Sequence, residues 1–371
     1  MDTTQPPLRI ELLRAAQRAC LVAGLLASGT GCAPELQAGC HGGLTECGGV
    51  CVDIASDAAH CGACGHDCLG GECGEGACQP VLLSTGPARA FDVALDGTSI
   101  YWTSQGAAGT STGEVRKISR IASGAATVLA SGQPAPRGMA VDAVNVYWTN
   151  SGGDTVMMAP KAGGEPVVLA TEQAARDMAV DDTHVYWTNT TGEVMKAPID
   201  MSDDPTVLVD GPAGPDGIAL DAAHVYWVNR NNGQVSKVPI DDPGAAPTVL
   251  LTGPLEATDL VVDDTHVYWS SYQSGKLLKI ALDGSESSET VIAQGQASPF
   301  GLAVDASYVY WVTYNGHEVK RAPRNGGAEV VLAALPMDEE GLGPGPRRIV
   351  VDDAAIYWTN HDYGELMMLA K

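Results

Sequence analysis

The chain is short of positive charge. Its 371 residues carry 21 Lys and Arg against 45 Asp and Glu, a formal charge of −24. So acidic a protein is a poor partner for nucleic acid and is repelled by anionic lipid headgroups. Cysteine is missing after position 78, although ten lie at or before it. Long apolar runs are missing too: the stretch from Ala19 to Ala27 is well short of the ~20 residues a membrane-crossing helix needs, and no other segment comes closer. After position 78 there is no Ser–His–Asp constellation, no Gly-rich phosphate loop ahead of a helix, and no cluster with firm metal-ligand spacing, which removes the commonest hydrolase and nucleotide-binding signatures. Pairs such as Gly152-Gly153 and Gly163-Gly164 lie at turns.

What the chain has in regular supply is one phrase. All seven tryptophans follow a tyrosine and precede Thr, Val or Ser, at Trp102, Trp148, Trp187, Trp227, Trp269, Trp311 and Trp358, spaced 46, 39, 40, 42, 42 and 47 residues apart. Such a period signals a repeat architecture. Each repeat reads as four short strands divided by turn residues: in the fourth, Gly217 to Leu220, Val225 to Val228, Gln234 to Val238 and Thr248 to Leu251. Four strands per unit of this length is a propeller blade. The last repeat has three strands, and Val81 to Ser84 supplies a fourth, which would close the ring without a free edge. The expected fold is all-β: a seven-bladed β-propeller of four-stranded blades over 80–371. Adjacent strand residues point to opposite faces, so Tyr and Trp should each pack toward a different neighbouring blade.

The run Gly217-Ile218-Ala219-Leu220-Asp221 through Val225-Tyr226-Trp227-Val228-Asn229, followed by a Gly-x-Val-x-Lys strand, is similar to the YWTD repeats of lipoprotein-receptor propellers. That resemblance covers 80–371 and implies a propeller. Those receptor propellers are six-bladed, and their final Asp is usually Asn here (Asn150, Asn189, Asn229, Asn360).

Residues 1–31 read as an export signal, with Arg9, Arg14 and Arg18 ahead of the apolar run. Ser28-Gly29-Thr30-Gly31-Cys32 looks like a bacterial lipoprotein processing site, which makes Cys32 the expected lipidated residue; Gly29 stands where an aliphatic residue is usual. Plain cleavage and secretion is the alternative. In 32–79, the eight cysteines Cys40, Cys47, Cys51, Cys61, Cys64, Cys68, Cys73 and Cys78 lie in a Gly-rich, core-poor segment. They are expected to form four disulfides of undetermined pairing. Zinc is the rival, since Cys61-x-x-Cys64 has ligand spacing and His60 and His66 are close by. The pattern from Cys47 to Cys78 resembles the stigma-specific Cys-rich family, which implies an extracellular module without catalytic residues. By segment the charge is +1 for 1–31, −7 for 32–79 and −18 for the propeller.

Propeller ligands usually sit at the mouth of the central channel, here expected at the corners leading into each blade's first strand. One corner position reads Phe91, Arg137, Arg176, Asp216, Thr258, Phe300 and Arg347; the next reads Asp92, Gly138, Asp177, Gly217, Asp259, Gly301 and Arg348. Arg89, Arg137, Arg176, Arg347 and Arg348 fall at these corners, in blades contiguous around the ring. They are candidate ligands for a carboxylate, phosphate or sulfate, the alternative being internal pairing with Asp92 or Asp177. The Asp that ends each first strand (Asp96, Asp142, Asp181, Asp221, Asp263, Asp305, Asp352) reads as a turn cap, and His184, His224 and His266 read as turn residues on the opposite face. The functional expectation is a non-enzymatic, monomeric cell-surface protein that binds a protein, peptide or glycan and needs no cofactor or metal. A metal-assisted lyase or hydrolase is the alternative, resting on His317-Glu318 and His361-Asp362 in loops near the mouth. Seven-bladed propellers include a streptogramin-inactivating lyase, similar to this chain in architecture alone.

Overall fold

Seven four-stranded antiparallel sheets run in sequence order around an axis. The computed structural model describes residue 40 and residues 43–120, 124–171, 173–242, 244–253, 256–285 and 289–371. The expected export signal and Cys32 lie outside the described residues. The first strands, Ala90–Leu95, Pro136–Val141, Ala175–Val180, Pro215–Leu220, Ala257–Val262, Pro299–Val304 and Pro346–Val351, surround the channel. Its far half is a space of about 480 Å³ walled by Val93, Ala140, Val180, Val261, Leu302 and Ile349 among others. The seventh sheet takes Val81–Thr85 as its outermost strand, with Met368 opposite Val81 and Leu366 opposite Ser84. The ring is therefore closed by the chain's own early segment, as the sequence predicted.

The Tyr-Trp phrase explains the blade contacts. Each gap between blades holds the tyrosine of one blade and the tryptophan of the next: Tyr101 with Trp148, Tyr147 with Trp187, Tyr186 with Trp227, Tyr226 with Trp269, Tyr268 with Trp311, Tyr310 with Trp358, and Tyr357 with Trp102 across the closure. Every one of these rings is buried, and each hides about 150–250 Å² of surface. The tyrosine hydroxyl turns back to the aspartate that ends its own blade's first strand, donating to Asp96, Asp142, Asp181, Asp221 and Asp305 at 2.6–3.0 Å. The other carboxylate oxygen of all seven aspartates accepts two backbone N–H groups of the following turn, so the predicted cap is present in every blade. Four of them also bind a cation from an adjoining blade: Lys161 on Asp96, Arg120 on Asp352, Arg324 on Asp263 and Lys371 on Asp305.

The third letter of the phrase has a role that the sequence did not disclose. Where it is Thr or Ser, its hydroxyl donates to the corner carbonyl of the next blade: Thr103 to Arg137, Thr149 to Arg176, Thr188 to Asp216, Ser270 to Phe300 and Thr359 to Phe91. The same oxygen accepts the N–H of Asp92, Gly138, Asp177 or Arg348 in its own blade. Val228 and Val312 replace it in the fourth and sixth blades. At the periphery, the outermost strand of each blade carries a register irregularity, which blunts an otherwise free edge.

The early module is stapled by four disulfides, Cys40–Cys51, Cys47–Cys64, Cys61–Cys73 and Cys68–Cys78. Cys61 and Cys64 thus belong to separate bridges, which removes the zinc reading. The module docks by packing Cys61, Cys68 and Cys78 into the cluster of Tyr310, Trp358 and Leu369. The His66 ring adds contacts to the Cys61 and Lys371 carbonyls at 2.5 and 2.6 Å. Lys371 and Tyr308 lie at the blade end opposite the 314–317 and 361–364 turns, so the module leaves the mouth open.

Replacing Trp227 with Ala should lower unfolding stability by about 3–5 kcal/mol through the cavity left between two blades. Thr103→Val, which leaves the Asp92 N–H and the Arg137 carbonyl unpaired, should cost about 1–3 kcal/mol. Urea unfolding of both variants checks this; a Thr103→Val midpoint equal to wild type would show that the hydroxyl bridge contributes nothing.

Candidate functional site at the channel mouth

The corner residues reach the axis because the inner ladder breaks there. In six blades, pairing with the second strand skips two residues, 91–92, 137–138, 176–177, 216–217, 300–301 and 347–348. In the fifth blade it skips Thr258 alone. Unpaired with their own sheet, these residues form two tiers across the mouth.

The lower tier alternates Asp and Gly around the ring, with Arg348 in the seventh place. Sterics dictate the glycines: a Cβ on Gly301 would lie 2.5 Å from the Arg347 carbonyl, and one on Gly217 would lie 2.9 Å from the Cα of Asp259. Each glycine thus admits the backbone of the following blade. The aspartates use that closeness. Asp92 accepts the N–H of Met139, and Asp259 that of Leu302, each in the next blade. Arg348 stands on the axis among the three carboxylates, 2.7 Å from Asp177 and 3.6 Å from Asp92, and bonded to Asp259. Burial raises Asp92 to about 7 against the pull of Arg348, with Asp177 adding to the rise. Asp259 is raised for the same reasons. The three carboxylates hold the Arg348 guanidinium well above its ordinary range despite burial. Arg348 is therefore a plug and takes the internal-pairing alternative.

The upper tier opens a cavity of about 320 Å³ lined by Arg137, Asp216, Arg230, Tyr272, Phe300, Tyr314 and Arg347. Asp216 is shared by Arg137 at 3.5 Å, Arg176 at 3.6 Å and Arg230 at 3.9 Å. Arg230 also grips Glu256 at 2.6 Å. Arg347 lies between two rings, 3.8 Å from the centre of Phe91 and 4.1 Å from that of Phe300. Among the described residues no carboxylate pairs with it, and its Nε is buried without a partner. Burial and then the cations Arg137 and Arg348 push Arg347 down to about 9, which still leaves it charged at neutral pH. Burial likewise lowers Arg137.

Of the five predicted arginines, the structure brings Arg137, Arg176 and Arg347 together in this tier and sinks Arg348 below it. Arg89 instead stands exposed at the rim. Arg230, Tyr272 and Tyr314 were missed. They sit in turns after the second strands, outside the corner alignment. Composition held a signal: the chain has 2 Phe, and both are in this mouth. His361 reaches the rim, edge-on to Phe91, with Nδ1 2.8 Å from Asp362. Burial lowers it below the ordinary histidine range. His317 does not join it: its ring packs over Gly343, and Glu318 pairs with Lys320 at 2.9 Å.

No family model and no curated protein matches the chain. Among solved structures it is similar to selenomethionine-substituted virginiamycin B lyase from Staphylococcus aureus, with TM-score 0.63 and 13% identity over 79% of this chain and 98% of that one. The catalytically inactive form of that lyase with quinupristin gives TM-score 0.64, again at 13% identity and with the same coverage. The Cps50 (Swd1) β-propeller domain of Myceliophteria thermophila gives TM-score 0.61 at 13% identity, covering 79% of this chain and all of that domain. At such identities the likeness establishes the propeller fold alone, and it agrees with the seven blades counted from the tryptophans.

The two kinds of aspartate carry opposite pH signatures. For Asp92 the folded value, about 7, exceeds the ordinary 3.8, so its contribution is complete below 3.8 and is lost as pH rises through 7. Asp305 is raised by burial, but the Lys371 ammonium and the turn N–H groups outweigh that and hold it at about 2; its contribution is present above 3.8 and lost as pH falls toward 2. Between about pH 4 and 8 the Asp92 part should make Tm fall with rising pH, and Asp92→Asn should flatten that slope. Parallel Tm–pH profiles for the two proteins test the assignment; identical slopes would refute it.

Proposed function

We propose that this protein is a non-enzymatic, exported binding protein that recognises an anionic group at the channel mouth of its propeller. The observation that carries the reading is Arg347: a guanidinium held between two phenylalanines, facing a cavity, with no carboxylate of its own among the described residues. A planar cation kept in place by aromatic stacking is prepared for a bidentate anion without further ordering cost. The four disulfides favour an oxidising, extracytoplasmic compartment. Lipid attachment at Cys32, with residues 32–79 as a spacer, would suit a module docked at the far end of the blades, because the mouth would then face away from the membrane. YWTD-type repeats and a stigma-specific-type module are consistent with such a receptor-like protein, whose partner would be a protein, peptide or glycan.

A lyase is the second reading, favoured by the His361–Asp362 contact at the rim and by likeness of fold to a streptogramin-degrading enzyme. A neutral histidine oriented by a carboxylate is a suitable general base, although the mouth offers it no second histidine among the described residues.

Equilibrium binding to a panel of carboxylates, phosphates and sulfates should show at least one anion whose affinity falls roughly 10-fold or more in Arg137→Ala/Arg347→Ala. Affinities unchanged in that variant would refute the anion reading. Incubation with quinupristin should leave the compound intact by mass spectrometry; turnover abolished by His361→Ala would establish the lyase instead.

A further inference from the structure

The anion reading leaves the class of anion open, and the mouth restricts it. Five guanidinium groups (Arg137, Arg176, Arg230, Arg347 and Arg348) meet five carboxylates (Asp92, Asp177, Asp216, Asp259 and Glu256). Asp92, raised by burial to about 7, is ionised only in part at neutral pH. The formal charges of the two tiers nearly cancel, and the uncompensated cation is Arg347, which has no carboxylate partner among the described residues. A dianion would overcompensate it, just above a buried tier of three aspartates. The remaining walls are aromatic. Tyr272 stands edge-on to Phe300 at 6.0 Å between ring centres, and Tyr314 faces the same cavity. Rings of this kind stack on flat or apolar ligand surfaces and gain little from a compact, heavily hydrated phosphate or sulfate. The cavity, about 320 Å³, is at the small end of ligand pockets, which span about 300–1,000 Å³.

Building on the anion-binding reading, we infer that the mouth takes a small ring-bearing monocarboxylate. Its carboxylate is received by Arg347, and its ring lies against Tyr272, Phe300 and Tyr314. Two sources share this chemistry, an aromatic acid and a uronic acid at the end of a glycan. The aromatic acid presents a π face to the tyrosines, the uronic acid a C–H face.

Calorimetry on the full chain with benzoate, glucuronate, inorganic phosphate and sulfate, and with benzamide and glucose as neutral controls, tests this. Benzoate or glucuronate should bind while its neutral control does not, and which of the two binds identifies the source. Arg347→Met should weaken that binding by roughly 10- to 100-fold, the loss of a charge-assisted pair. Tyr272→Ala, which removes no charge, should weaken it as well, with both variants checked for an unchanged far-ultraviolet spectrum. Phosphate or sulfate binding without either carboxylate would overturn the monocarboxylate inference and leave the anion reading standing. Silence from all four anions would overturn both. Carboxylate binding that is indifferent to both substitutions would place the site elsewhere and overturn the inference.

Discussion

Seven wedge-shaped gaps, each filled by a tyrosine from one blade and a tryptophan from the next, hold the propeller together. Neither ring could be buried by its own sheet, so a blade alone would expose both. The energetic unit is therefore the gap and not the blade, as in other repeat proteins whose stability resides in neighbour interfaces. Closure follows from the same constraint. The gap between Tyr357 and Trp102 joins the seventh blade to the first, and the strand Val81–Thr85 completes the sheet from which Tyr357 projects.

Filling the gaps with large rings away from the axis leaves the axis itself crowded. Small residues and backbone must meet there, and the alternation of Asp and Gly in the lower tier is the result. Three carboxylates forced together would be costly in a low-dielectric setting. Arg348 offsets part of that cost, and N–H groups from adjacent blades offset more. The Thr and Ser hydroxyls after tryptophan fix the corner carbonyls of the next blade at Phe91, Arg137, Arg176, Asp216 and Phe300, so these five corners are positioned by two sheets. Most of the mouth's backbone is thus set by contacts between sheets.

The upper tier has a chemical character of its own. The protein as a whole is strongly acidic, yet the upper, half-buried tier of the mouth gathers four arginines against Asp216 and Glu256. A local cationic site in an acidic surround favours a small anion that fits into the cavity over a polyanion that must lie across the surface. The disulfide module docks at the other end of the blades, so its position does not compete with access.

The periodic tryptophans by themselves determine much of this molecule. A spacing near 40 residues, with four short strands in each interval and a spare strand at the start, admits little besides a closed seven-bladed ring. The capping aspartates and the even set of cysteines were legible for the same reason: their roles depend on near neighbours in the chain or on composition. The site was only half legible. Aligning the corners found Arg137, Arg176 and Arg347, because identical positions in successive blades converge on one axis. It could not separate the plugging role of Arg348 from the cavity-facing role of Arg347, one residue away, since only the break in the inner ladder decides which tier each occupies. It also passed over Arg230, Tyr272 and Tyr314, which share one repeat position three residues after tryptophan, in the turns that leave the second strands. Disulfide pairing and the docking of the module on Lys371 were likewise left to tertiary structure, because contacts between segments far apart in sequence leave no periodic trace.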